Sequence, residues 1–188
     1  MLRRCLASAP AALSAVPGAG ERLACEREGR AHDYTRKSGI EETFIVAPET
    51  APAWAQDRGA LWNAAEASET RRNSVTTREW ELALPSEVSA GERSQITRAF
   101  AEELVARYGV AVDVAIHASH REGDQRNHHA HVLTTTWQLE AEGFTTKTLV
   151  LDAAKTGGVE IAQMREGYLT QTNCLQANAT VPLREIGT

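Results

Sequence analysis

Polar and apolar residues alternate from Thr77 to Leu84, with Trp80, Leu82 and Leu84 on one side and Glu79 and Glu81 on the other. A period of two marks a half-buried strand, and Pro85 closes it. The same period returns from Val110 to His117. Val110, Val112, Val114 and Ile116 share one face; Asp113 and His117 share the other. A polar loop follows from Ala118 to about Asn127, and a third strand is expected over His129–Thr136. Residues i and i+2 of a strand point the same way, so His129, His131 and Leu133 lie together. Phe44–Val46 is a shorter β-like run stopped by Pro48 and Pro52, and Thr146–Leu151 offers one more short strand. Residues 1–24 are low in complexity and expected to be poorly ordered, and residues 25–42 are highly charged and polar.

Helical spacing lies between these strands. Trp54 to Arg72 reads as a helix with Trp54, Leu61, Trp62, Ala64 and Ala65 on its apolar side. Ser89-Ala90-Gly91-Glu92 is a capping box. It opens a helix on which Ile96, Phe100 and Leu104 recur every four residues, and Gly109 ends it. Val159 to Leu175 carries Ile161, Met164, Tyr168 and Leu175 on one stripe. Two central strands joined by a loop alone, with helices elsewhere, predict an α+β domain. Its antiparallel sheet has helices packed on one face and the other face open.

The chain has 188 residues, enough for one domain with a core. Residues 1–18 read as an atypical start, 19–175 as the domain, and 176–188 as an irregular tail. The start, Leu2-Arg3-Arg4 before an alanine-rich run broken by Pro10, is a weak imitation of a secretion signal. No apolar run is long enough to span a membrane. Three scattered cysteines, Cys5, Cys25 and Cys174, fit reduced thiols in the cytoplasm better than a disulfide framework. The net charge of −5 counts against a broad nucleic-acid-coating surface, so any DNA-binding function rests on a local site.

That site is Ile116-His117 together with Asn127-His128-His129-Ala130-His131. If the two strands pair antiparallel across the 118–127 loop, the end of one meets the start of the next. His117 then lies beside His129 and His131 on the open face. Neutral imidazoles in this number suit Mn²⁺, Zn²⁺, Co²⁺ or Ni²⁺ and leave positions for phosphate oxygens. His128 falls on the opposite side, exposed or behind the ligands, and His120 belongs to the loop.

The Asn-x-His-x-His stretch with its upstream Ile-His resembles the metal motif of the MobA/MobL plasmid mobilisation relaxases. Gly20–Leu23, His32–Gly39, Leu61-Trp62-Asn63, Arg78-Glu79, Leu84-Pro85 and Leu133–Thr136 agree with it, so the similarity runs from about residue 19 to 170. The resemblance implies an HUH-type, TraA-like relaxase domain that nicks single-stranded DNA at a transfer origin through a phosphotyrosine. It implies His117, His129 and His131 as ligands of Mn²⁺ or Mg²⁺, with Zn²⁺ as another choice. It implies Glu79 as an acidic residue beside them, orienting the nucleophile or a ligand. The implied partners are DNA at that origin and accessory mobilisation and coupling proteins.

The nucleophile departs from the family pattern. The family has Ala-Tyr-Arg just before Gly-Glu-Arg-Leu; here the tyrosine position is Pro17 and the arginine position Gly18, and the family's first strand is missing. Tyr34 is the nearby substitute, while Tyr108 and Tyr168 read as packing residues. A second departure is Trp137, where relatives tend to carry arginine. Arg36, Lys37, Arg71, Arg72, Arg78, Lys147 and Lys155 are candidates for contacts to the DNA backbone. The competing readings are a catalytically inactive DNA- or metal-binding remnant and a rolling-circle replication initiator.

Overall fold

The computed structural model describes residues 2–3, 22–27, 29–33, 39–71, 74–119, 126–153 and 155–179. Eight strands and three helices follow one another along them. They are β1 (Leu2–Arg3), β2 (Arg22–Cys25), β3 (Arg30–Asp33), β4 (Ile40–Val46), α1 (Arg58–Ala67), β5 (Thr77–Leu84), α2 (Ala90–Tyr108), β6 (Val110–His117), β7 (His128–Glu140), β8 (Gly143–Lys147) and α3 (Gly157–Ala179). The main sheet has the order β1-β5-β7-β6-β4, every pairing antiparallel, with β8 turned back onto the far end of β7. β2 and β3 form a separate two-stranded hairpin. The chain is α+β with an antiparallel sheet. Among the described residues no helix is long and apolar enough to cross a membrane.

The alternation along β5 and β6 sorts the sheet into two faces. Trp80, Leu82, Leu84, Val110, Val112, Val114 and Ile116 pack under α2 and α3 with Ile96, Phe100, Leu104 and Met164. Trp80, Phe100 and Tyr168 stack edge to face along this layer, with ring centres 5.6 and 5.7 Å apart. The capping box forms as expected, Ser89 Oγ accepting from Glu92 N–H and Glu92 accepting from Ser89. Gly109 ends α2 at φ +66°, a left-handed conformation that other residues enter at a cost.

Several elements differ from their expected extents. The helix expected over Trp54–Arg72 is a 3₁₀ turn, Ala53–Gln56, followed by the shorter α1. Asp57 separates them, because its carboxylate caps Ala60 N–H and starts a new helix there. β4 begins at Ile40, and β7 runs on to Glu140 because it pairs on both sides along most of its length. The last strand is Gly143–Lys147 in place of Thr146–Leu151, since the chain turns back immediately after Glu140. α3 extends past Leu175 to Ala179 and so takes in part of the expected tail. β2 and β3 arise where the sequence reads as low in complexity or merely charged and polar; only one side of the hairpin is buried, by Leu23 and Cys25.

The two long helices pack on one face as the alternation predicts. The short α1 lies over part of the other face, where Trp62 and Ala65 pack with Leu133 of β7 and with Leu23 and Cys25 of the hairpin. Beside them Leu61 packs with Ala55, Ala111 and Leu139. Asp113, expected on the open face, is buried there. Arg58 grips it through Nε and Nη2 at 2.8–3.0 Å, and Trp62 Nε1 donates to it at 2.9 Å. This half of the face is dry. The half nearer the β6–β7 loop carries the histidines.

Candidate metal centre

β6 and β7 pair so that His117 lies opposite His129, and Ala115 opposite His131. All three histidines belong to the face away from α2 and α3, and all are half-buried. Their ring centres form a nearly equilateral triangle with sides of 5.2, 5.3 and 5.2 Å. Imidazole nitrogens bind a divalent ion at about 2.1 Å, so three rings spread around one ion have their centres about 5 Å apart. Among the described residues, no three His, Cys, Asp or Glu groups bring their ligating atoms together as the side chains stand. The spacing of the rings therefore suits an ion better than their present orientation does. Turning a histidine about Cβ–Cγ is a soft motion, so the difference is small in energy.

Two of the rings are already held by their other nitrogen. His131 Nδ1 lies 2.6 Å from Glu79 Oε1, and His129 Nδ1 lies 3.2 Å from the Asn127 carbonyl. Carboxylate and carbonyl oxygens only accept, so in the neutral rings Nδ1 carries the proton and Nε2 keeps its lone pair. That is the arrangement of ligating histidines, whose outward N–H is fixed by an oxygen acceptor. Glu79 reaches His131 along the diagonal of the β5–β7 ladder, in which its direct partner is Leu133.

Glu81 was not singled out by sequence reasoning. It stands directly opposite His131 in the ladder and shares Glu79's face. The signal was available, because the alternation from Thr77 to Leu84 puts both carboxylates on the side of the histidines. Three imidazoles and two glutamates thus share this face at one end of the sheet. His128 projects to the other face, with Nδ1 3.7 Å from Glu41. Tyr34, His120, Arg36, Lys37 and Arg72 lie outside the described residues.

Two of the proposed DNA contacts are otherwise engaged. Arg78 is 2% exposed, and its guanidinium donates to Asp152, Thr148 Oγ1 and the Thr148 carbonyl. It secures the turn before α3 and faces away from the histidines. Lys147 donates to Glu69, as do Trp137 Nε1 and Thr136 Oγ1. Burial alone would raise the Glu69 pKa, but the bonds from Lys147, Trp137 and Ser74 outweigh it and lower the value. Trp137 thus belongs to a partly buried polar cluster around Glu69. Tyr108 and Tyr168 pack as expected. Burial and a bond to Glu160 raise the Tyr108 pKa well above the usual range. Burial raises that of Tyr168, whose hydroxyl donates to the Ala83 carbonyl. Both belong to the long helices and face the core beneath them, on the wrong side of the sheet to act beside the histidines.

Glu79→Gln tests the outward support directly. The amide keeps the size but loses the charge that fixes the His131 ring. Mn²⁺ affinity, followed by calorimetry, is expected to fall about 10–100-fold with unfolding temperature little changed. Unchanged affinity would remove Glu79 from the site.

Comparison with known proteins agrees with this architecture. The MobA/MobL family model matches residues 9–181. A mobilization protein MobL of Acidithiobacillus ferridurans is 34% identical over 146 residues, covering 66% of this chain and 38% of that protein. A conjugal transfer protein TraA of Rhizobium radiobacter is 34% identical over 136 residues, covering 67% of this chain and 12% of that one. The chain therefore aligns to well under half the length of either relative. A solved structure described as the molecular basis of vancomycin resistance transfer in Staphylococcus aureus superposes with a TM-score of 0.77. It covers 98% of this chain and 95% of that one at 21% identity, a likeness of fold. By its family match and by the identity of its relatives, the chain belongs to the MobA/MobL family.

Proposed function

We propose that this domain is a metal-dependent single-stranded DNA strand transferase, a relaxase acting at a transfer origin in conjugative mobilisation. The observation that supports the reading best is the histidine triangle on one open end of the sheet, with Glu79 fixing His131 from behind. A divalent cation on the three imidazoles would meet an approaching DNA phosphate with opposite charge, in a partly buried site where attraction is poorly screened. His117, His129 and His131 would hold Mn²⁺, Mg²⁺ or Zn²⁺ there, supplying charge neutralisation and polarisation of the scissile phosphate.

The chain's own groups do the rest. His129 and His131 present Nε2 because their Nδ1 protons are committed to Asn127 and Glu79. α1 and the hairpin wall off the inner half of the face, so DNA enters from the outer half. The nucleophile is a tyrosine hydroxyl, for which Tyr34 is the candidate. Its described flanks are Asp33, which ends β3, and Gly39, whose carbonyl accepts the N–H of Ala118, the residue after His117. Attack of the hydroxyl on phosphorus forms the phosphotyrosine, releases the 3′ hydroxyl of the broken strand, and reverses on resealing. Accessory mobilisation and coupling proteins are the expected partners.

The test uses purified protein, Mn²⁺ and single-stranded oligonucleotides tiling the plasmid DNA beside the gene. The reading expects one tile to be nicked only with metal present, leaving a protein–DNA adduct on a denaturing gel that Tyr34→Phe removes. Metal binding without cleavage of any tile would instead favour the non-catalytic remnant. An adduct that survives Tyr34→Phe would overturn the assignment of Tyr34 alone.

A further inference from the structure

Among the described residues the hairpin β2–β3 pairs with no strand of the main sheet, and it packs in one apolar cluster with α1 and Leu133 of β7. One edge of β2 pairs with β3. The other edge meets Asn63 of α1, which stands in for a neighbouring strand. Asn63 Oδ1 accepts the Glu26 N–H at 3.1 Å, and Asn63 Nδ2 donates to the Ala24 carbonyl at 2.9 Å. A side-chain amide offers one donor and one acceptor at the spacing of a peptide group, so it satisfies two backbone groups that the edge would leave to water.

Around this clamp the contacts run in one line. Leu23 and Cys25 pack on Trp62 and Ala65, Cys25 Sγ donates to Glu66 Oε2 at 3.6 Å, and Arg27 donates to the Glu66 carbonyl. α1 is in turn fixed to β6 by Arg58 and Trp62 on Asp113. β6 is the strand that carries His117. The hairpin is therefore indexed to the histidine strand through three links: Asp113 to α1, α1 through Asn63 to β2, and β2 to β3.

We infer that Asn63 is a positioning residue, which holds the β2–β3 hairpin at a fixed place against the histidine face and so sets the geometry of strand transfer. The inference rests on the strand-transfer reading. It assigns Asn63 no contact with metal or DNA. Loss of the clamp lets the hairpin shift on α1 while the strands that carry the histidines stay paired. Small misplacements of this kind reduce the chemical step far more than they reduce binding.

The experiment compares wild type, Asn63→Ala and Asn63→Asp on the oligonucleotide that wild type cleaves. For Asn63→Ala, kcat is expected to fall at least about tenfold while KM and Mn²⁺ affinity stay within about threefold. Asn63→Asp keeps the acceptor for Glu26 and loses the donor to Ala24, so its kcat should fall between the two. It also carries the test if Asn63→Ala does not fold. A clamp that only stabilised the fold would lower the unfolding temperature and leave kcat unchanged well below it. That result, or a parallel loss of Mn²⁺ affinity, overturns the inference and leaves the strand-transfer reading standing. If wild type cleaves no oligonucleotide, that reading falls and the inference falls with it.

Discussion

Replacing His129 and His131 together by alanine is expected to abolish high-affinity Mn²⁺ binding, with at least a hundredfold loss against wild type in calorimetry. The two rings supply two corners of the triangle, and Nε2 of each is the nitrogen left with a lone pair. One imidazole and two glutamates remain, a set that binds a divalent ion weakly. Metal-dependent nicking should fall to background in the same variant. Stability should change little, because both rings are only half-buried and contribute little to the core. A variant that unfolds at the wild-type temperature and binds Mn²⁺ as tightly as wild type would place the ion elsewhere and end the metal-centre reading.

Asp113→Ala is expected to destabilise the fold strongly. It takes the Asp113 carboxylate from the Arg58 guanidinium, 8% exposed, and the acceptor from Trp62 Nε1. Breaking a buried pair by removing one partner costs about 3–5 kcal/mol. For a domain of this size that corresponds to a fall of roughly 10 °C in unfolding temperature. Urea or thermal unfolding followed by circular dichroism measures it. Replacing both charges with apolar residues of similar size, Arg58→Met with Asp113→Leu, should recover much of the loss, because no buried charge is then stranded. A fall of less than about 1 kcal/mol in Asp113→Ala would show that the pair behaves like a surface ion pair.

The legible parts of this chain were those where a single period ran uninterrupted. β5, β6 and α2 each bury one face against one layer, so their apolar positions repeat cleanly, and Ser89, Glu92 and Gly109 mark the limits of α2. The histidine triangle followed from two facts that needed no tertiary information, strand parity and a short connection. The second layer was hidden. α1 and the hairpin cover only part of the opposite face, and they do so with Asn63, Glu66, Arg58 and Asp113 as well as with Leu23 and Trp62. Polar residues buried in pairs look the same in a sequence as polar residues in water. For that reason Asp113 read as solvent-facing, and Arg78 and Lys147 read as available to DNA. Each is committed to a partner far away in the chain, Asp113 to Arg58, Arg78 to Asp152 and Lys147 to Glu69.

The division of this face has an electrical consequence. A boundary crosses the sheet between Leu133 and His131 on β7 and between the buried Ala115 and His117 on β6. On one side lies tightly packed, weakly polarisable protein; on the other, solvent. Charges placed at such a step are shielded from one direction only. Their fields reach further than those of charges on a flat, fully wetted surface. An ion and a phosphate meeting at the rings would attract more strongly there than in open water, and the contrast disappears if the packed side lets water in.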